Sequence, residues 1–306
     1  MKFTYYPEGV CTSQIEFEVI DNRIHNVQFT GGCEGNLKGI AALAENMDVD
    51  KAIGALSNIS CEASLKACPA KFADALVCYK EGEFEKLRPL SQQEILDKQQ
   101  SKWNISYENF VDMFGEEVSY PVQQTMSYLN PNTTMKVLEL GCGQGRDTLV
   151  FAQHNCAVTA LDYSEVGVEQ LMKKATELNV SNKITPITHD VRKEWPFENE
   201  TYDICYSHML LNMAFTENDL LFIMKEAYRI LKPGGVHIFT VRNSTDAHYE
   251  QGVKRGEDLY EMDGFIVHFF TKEKLERLKN DFAISSIQEF EEGELPRKLY
   301  YVVMSK

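Results

Sequence analysis

Glycines at 141, 143 and 145 punctuate the run Val137-Leu-Glu-Leu-Gly-Cys-Gly-Gln-Gly-Arg-Asp-Thr148, and their spacing bounds the chemistry open to this chain. An apolar strand runs into a tight loop that opens a helix. Glycine lacks Cβ, so such a loop can take positive φ and press backbone against a bulky ligand. The helix behind it aims free N–H groups at an anion such as a carboxylate. A dinucleotide loop would place its third glycine at 146, where Arg146 stands. Downstream, Ala157 to Asp162 reads as a second strand ending in an acid, followed by Tyr163 and Ser164. A carboxylate there can accept both hydroxyls of a ribose. Ile184 to Asp190 reads as a third strand, again closed by an acid, and Tyr202 to His208 as a fourth. Leu231-Lys-Pro-Gly-Gly235 reads as the turn before a fifth.

These five segments, in this order, resemble the class I S-adenosylmethionine-dependent methyltransferases. The resemblance implies an α/β fold with a Rossmann-like, seven-stranded, mostly parallel sheet. It implies S-adenosylmethionine as cofactor, cradled by Glu139, Gly141, Cys142, Gly143, Gly145 and Arg146. Asp162, Tyr163 and Ser164 would meet the ribose, Asp190 and Val191 the adenine, and Ser207 the methyl end. The Gly145-Arg146-Asp147 step is similar to tellurite-resistance and thiopurine-type methyltransferases, whose acceptors are small soft atoms. Arg146 could reach the cofactor carboxylate or cap loop carbonyls.

Methyl transfer from a sulfonium needs a lone pair held ~3 Å from the methyl carbon and in line with the C–S bond. A general base is needed only when the acceptor arrives protonated. His208, just past the fourth strand, is the best-placed candidate for a catalytic or substrate role. Tyr249 and His268, with Arg242, lie beyond the fifth strand. The run from Arg242 to Phe270 is long and glycine-bearing, and reads as a lid or as a surface insertion.

The elements that must hold these groups follow from periodicity. Val168, Leu171, Met172, Ala175 and Leu178 recur at helical spacing, as do Leu220, Ile223, Met224, Ala227 and Ile230. Alternating strand and helix signals predict a mostly parallel sheet covered on both faces. Residues 284–290 and 299–304 read as a closing pair of strands. Residues 80–105 are polar and suit two helices parted by Pro89. The organisation expected is a small α+β domain over 1–90, a helical linker and entry helix over 91–130, and the cofactor domain over 131–306.

The first 80 residues hold five of the eight cysteines. Two alternating strands, Gln14 to Ile20 and Arg23 to Thr30, flank an Asp21-Asn22 turn, and helical segments follow. With Gly31-Gly-Cys-Glu-Gly-Asn36, this part resembles the small α+β domain named for a TSCPD motif. That motif is degraded here to Lys66-Ala-Cys-Pro-Ala70. Cys11, Cys33, Cys61 and Cys68 could bind zinc as four thiolates, though no C-x₂-C pair occurs. The alternative is a domain with buried thiols that mediates homodimerisation. Cys78, Cys156 and Cys205 read as core, and Cys142 as a small packing residue in the loop.

Net charge is −15, with 10 basic and 15 acidic residues in 1–100 and 21 and 31 in 101–306. Both parts would repel nucleic acid, and no basic run offsets this; Lys272 to Lys279 is interleaved with acids. No apolar run approaches the ~20 residues that span a bilayer, and the N-terminus lacks a signal peptide's apolar core. The expectation is a cytoplasmic enzyme that methylates a small molecule, with a thiol or metalloid acceptor in view. Methylation of a protein side chain, and a non-catalytic regulator sensing metal or redox state through the cysteine domain, are the alternatives.

Overall fold

The computed structural model describes residues 1–61, 67–115, 117–262, 264–293 and 297–306. Lys66 of the degraded cysteine motif lies outside them. The chain divides into two units, the first made of Met1–Lys102, Gln251–Arg255 and Tyr260–Ile266, the second of Trp103–Glu250, Gly256–Leu259 and Val267–Lys306.

The first unit begins with three antiparallel strands, β1 (Lys2–Tyr5), β2 (Thr12–Ile20) and β3 (Arg23–Gly31), in that order. Asp21 and Asn22 both take positive φ, as a two-residue hairpin turn between twisted strands requires. Ile15, Phe17 and Val19 alternate inward along β2. Three helices follow: α1 (Glu34–Ala44), α2 (Val49–Leu56) and α3 (Cys68–Glu81). Asp48 caps α2 by accepting the Asp50 and Lys51 N–H groups. Phe72, Ala73 and Leu76 of α3 pack with Ile15 and Phe17 into one core. Two more helices, α4 (Gln92–Asp97) and α5 (Gln99–Asn109), lead out of it. Within this unit Gln99 donates to the Gly264 carbonyl at 3.1 Å and accepts the Ile266 N–H at 3.1 Å.

In the second unit, α6 (Tyr120–Thr125) precedes an alternation of strands and helices: β4 (Lys136–Leu140), α7 (Arg146–Gln153), β5 (Ala157–Asp162), α8 (Glu165–Glu177), β6 (Ile184–Thr188), β7 (Tyr202–Ser207), α9 (Glu217–Ile230) and β8 (Leu231–Arg242). Residues 242–270, expected as a lid or insertion, carry structure of their own: β9 (Val253–Gly256), β10 (Leu259–Met262) and β11 (Phe265–His268) form a small sheet. The chain ends with α10 (Lys272–Leu278), β12 (Ala283–Glu292) and β13 (Arg297–Ser305).

The seven-stranded sheet has the order β12-β13-β8-β7-β4-β5-β6. Pairing is parallel from β8 through β6, and β13 is antiparallel to both neighbours. The expected Rossmann-like, mostly parallel sheet is the fold observed. Its central strands are apolar on both faces because helices cover both. Val137, Val158, Ile204 and Ile238 face α7 and α8, whereas Leu138, Cys205, Phe239 and Met304 face α9 and α10. The turn expected at Leu231–Gly235 is drawn into the start of β8. Strand order reverses between β4 and β7, so the crevice at their carboxyl ends is where an open α/β sheet binds ligands.

Candidate active site

The glycine loop forms one lip of that crevice. Gly141, Gly143 and Gly145 have φ of +70°, +48° and +88°. A Cβ on Gly145 would lie 2.2 Å from Leu171 Cδ1, so only glycine fits. The N–H groups of Gly141 and Cys142 donate to the Leu161 carbonyl at 2.7 and 3.1 Å, tying the loop to the end of β5.

Asp162, at that end, is buried and accepts the Gly143 and Ser164 N–H groups, each at 2.8 Å. Burial pushes its carboxyl up to about 6, against those hydrogen bonds. Ser164 caps α8 by accepting the Gly167 N–H at 3.1 Å. Tyr163, half-buried beside Asp162, has its phenol pushed upward by burial and then by the Asp162 charge. Glu139 is buried under the loop and accepts the Thr148 hydroxyl at 2.5 Å; burial, then the Asp147 charge, raises its carboxyl. Cys142 is buried and its thiol is likewise raised by burial.

Asp190 is forked by Arg192, with nitrogen–oxygen distances of 2.7 to 3.1 Å. Burial opposes its ionisation, but the Arg192 hydrogen bonds hold the carboxyl below its ordinary value. Val191 is buried, its carbonyl accepting Trp195 Nε1 at 2.9 Å. Arg146 reaches the Phe114 carbonyl at 3.1 Å, Asp147 at 3.3 Å and Glu292 at 3.6 Å.

The second lip follows β7. Ser207 is fully buried, and its hydroxyl has no partner among the described residues. His208 lies between Thr240 Oγ1, 2.7 Å from Nδ1, and Glu292 Oε2, 3.0 Å from Nε2. Thr240 Oγ1 also accepts the Met209 N–H at 2.9 Å. The pairing that satisfies every group has His208 Nε2–H donating to Glu292 and the Thr240 hydroxyl donating to Nδ1. Burial favours the neutral Glu292, but the His208 hydrogen bond and the charges of Arg146 and Arg297 hold its carboxyl below the ordinary value. Leu210 packs against Gly141, where an added Cβ would meet it at 2.9 Å.

Tyr249 and His268 meet in a second polar network around Asp258 and Lys274, and the His268 backbone N–H donates to the Asn212 carbonyl at 2.8 Å. His268 Nδ1 donates to the Phe215 carbonyl at 3.0 Å, and Nε2 accepts from the buried Lys274 ammonium at 2.8 Å. Burial, then the Lys274 charge, pushes the His268 imidazolium down to about 3. Lys274 also pairs with Asp258 at 2.6 Å, and the Tyr249 hydroxyl donates to the same carboxylate at 2.9 Å.

Several residues of the crevice carried no motif. Tyr107 is buried, and its hydroxyl lies 2.8 Å from where a Cβ on Gly143 would stand. Its phenol is raised by burial and then by the Asp162 charge. Asn104 accepts the Ser164 hydroxyl at 2.6 Å. Gln144 accepts the Met113 N–H at 2.9 Å and donates to the Phe110 carbonyl at 2.8 Å, latching residues 110–113 to the loop. Glu292 came from the last hairpin. The cue available was position: each residue neighbours an element end that faces the crevice.

A left-handed glycine loop, an acid at the end of β5 and a crevice at the switch point are the features with which an open α/β sheet holds a nucleoside-bearing ligand. Residues 137–235 match the family model described as a methyltransferase domain, and residues 2–80 match the TSCPD domain. The first stretch lies in a seven-stranded sheet with the class I methyltransferase fold. The chain is similar to a Bacillus subtilis protein named as a methyltransferase, YqeM, with 28% identity over 141 residues, 45% of this chain and 56% of that protein. It is also similar to the malonyl-[acyl-carrier protein] O-methyltransferase of Erwinia billingiae, with 29% identity over 130 residues, 41% of this chain and 46% of that one. The chain spans about half the length of these curated relatives. Among solved structures, the Burkholderia thailandensis 1,6-didemethyltoxoflavin-N1-methyltransferase, with 1,6-didemethyltoxoflavin and S-adenosylhomocysteine bound, superposes with a TM-score of 0.58. At 19% identity, over 72% of this chain and 92% of that one, the likeness is one of fold.

The zinc expectation finds no site among the described residues. Cys11, Cys33 and Cys61 are exposed and Cys68 half-buried. Among the described residues no three His, Cys, Asp or Glu side chains gather to hold a metal. Cys78, Cys156 and Cys205 are buried, as their apolar or strand settings predict, and so is Cys142 within the glycine loop. Among the described residues no helix is long and apolar enough to cross a membrane.

Proposed function

We propose that this chain transfers the methyl group of S-adenosylmethionine to a small-molecule acceptor. The observation that carries this reading is the crevice between the glycine loop and the β7 lip, with Asp162 buried at one end and Ser207 at the other. When bound, S-adenosylmethionine supplies an activated methyl group. Gly141 to Gly145 would lie beneath it, Asp162 would accept its ribose hydroxyls, and Tyr107 would cover it from α5. Closure by Tyr107 and by the strap latched through Gln144 would keep water from the sulfonium.

A small acceptor suits an acidic chain with no basic tract for a nucleic acid. The Gly145-Arg146-Asp147 step is the sequence feature that points to a soft thiol or metalloid atom. Arg146 turns to a backbone carbonyl and two carboxylates, so it adds nothing to that choice. For the regulator alternative, no cluster of metal-ligating side chains stands among the described residues.

Calorimetric titration with S-adenosylmethionine and S-adenosylhomocysteine tests the reading. Micromolar binding of both is expected, followed by S-adenosylhomocysteine formation with a suitable acceptor. Folded protein that binds neither would return the glycine loop to an unassigned nucleotide site.

A further inference from the structure

One carboxylate touches both lips of the crevice. Glu292 ends β12, which runs parallel to β8 because each is antiparallel to β13. Its carboxyl end therefore lies on the same edge of the sheet as Leu140 and Ser207. Glu292 Oε2 is 3.0 Å from His208 Nε2 on the β7 lip, and Oε1 is 3.6 Å from Arg146 Nη1 on the glycine-loop lip. With Thr240 on its other nitrogen, His208 has no ring nitrogen left to take a substrate proton; it holds the carboxylate instead. The same lip carries the buried Ser207 hydroxyl, without a partner among the described residues, and Met209 at φ +56°. A left-handed non-glycine residue stores strain of the kind kept at functional loops.

We propose that Glu292 stabilises positive charge at the point of methyl transfer and that the acceptor is an amine. The proposal rests on the methyltransferase reading. As the acceptor nitrogen attacks, its lone pair forms the new N–C bond while the C–S bond breaks and its electron pair stays on sulfur. Positive charge passes from sulfur to nitrogen. A nitrogen that began with a hydrogen then releases a proton to water. An ionised carboxylate fixed at the crevice favours positive charge throughout that path. A thiolate or oxyanion acceptor would instead bring like charge against Glu292.

The test compares two ligands on the full-length chain: S-adenosylhomocysteine, which is neutral at sulfur, and sinefungin, which carries an ammonium where the methylsulfonium would stand. Wild type should bind sinefungin about tenfold more tightly than S-adenosylhomocysteine, and Glu292→Gln should bring the ratio near unity with S-adenosylhomocysteine affinity unchanged within about twofold. With S-adenosylmethionine present, primary and secondary amines should yield S-adenosylhomocysteine, and kcat/KM should fall more than about tenfold in Glu292→Gln. Parallel loss of both ligands, or an unchanged ratio, would reduce Glu292 to a latch between the lips. Turnover of thiols or oxyanions in place of amines would overturn the acceptor class. Binding of neither ligand to wild type would fail the methyltransferase reading itself. An unchanged melting temperature of Glu292→Gln separates these outcomes from misfolding.

Discussion

Asp162 is the residue whose chemistry depends most on its surroundings. Burial raises its carboxyl from 3.8 to about 6, while the N–H groups of Ser164, Gly143 and Tyr163 favour the ion. Between those values the folded chain holds a proton that the unfolded chain has released. The stability this group contributes is therefore full below about pH 4 and is lost as pH rises through 6, by up to about 3 kcal/mol. Ribose hydroxyls donate to the ionised form, so cofactor affinity should run the other way. Calorimetry between pH 5 and 7 should show affinity rising by about tenfold. Asp162→Asn should flatten that profile; a flat wild-type profile would place the ribose elsewhere. Asp162 was legible because it closes an apolar strand at a fixed remove from the glycines. Tyr107 and Glu292 were not, because they reach the crevice from α5 and β12 and nothing in their neighbours' types marks the arrival.

Among elements, the end of β8 shows how a buried charge can be tolerated. Arg242 and Asp246 are both buried and paired, with nitrogen–oxygen distances of 2.5 and 3.1 Å. Asp246 also accepts the Lys298 N–H at 2.9 Å, pinning the turn after β8 to β13. Removing the acid strands a guanidinium out of water. Asp246→Ala should cost about 3–5 kcal/mol, read as a lowered urea midpoint. A loss below about 1 kcal/mol would mean that Arg242 finds water. Strand and helix alternation from 136 to 242 was readable because each strand is a continuous apolar run and each helix repeats its apolar face. The small sheet within 242–270 was hidden by short strands and by polar and glycine residues that also suit a loop.

At the scale of the molecule, the division of the chain does not follow its order. Residues 251–255 and 260–266 cluster with 1–102, although nothing in their composition sets them apart from the chain around them. A chain begun at residue 103 would lose the Gln99 hydrogen bonds to Gly264 and Ile266 and the Lys102 ammonium, 4.9 Å over the Phe265 ring. It would also lay bare Ile266, which is fully buried. Such a fragment should be less soluble than the full chain and melt at lower temperature; equal melting and a monodisperse fragment would mean that 251–266 settles without its partners. The arrangement also orders events during synthesis. Residue 266 leaves the ribosome 164 residues after residue 102. At ~5–20 residues per second, the first unit waits roughly ten to thirty seconds for its last strands, while most of the second is already being made. The unit that starts first therefore finishes late, and a chaperone meeting the nascent chain would find it incomplete for most of that time.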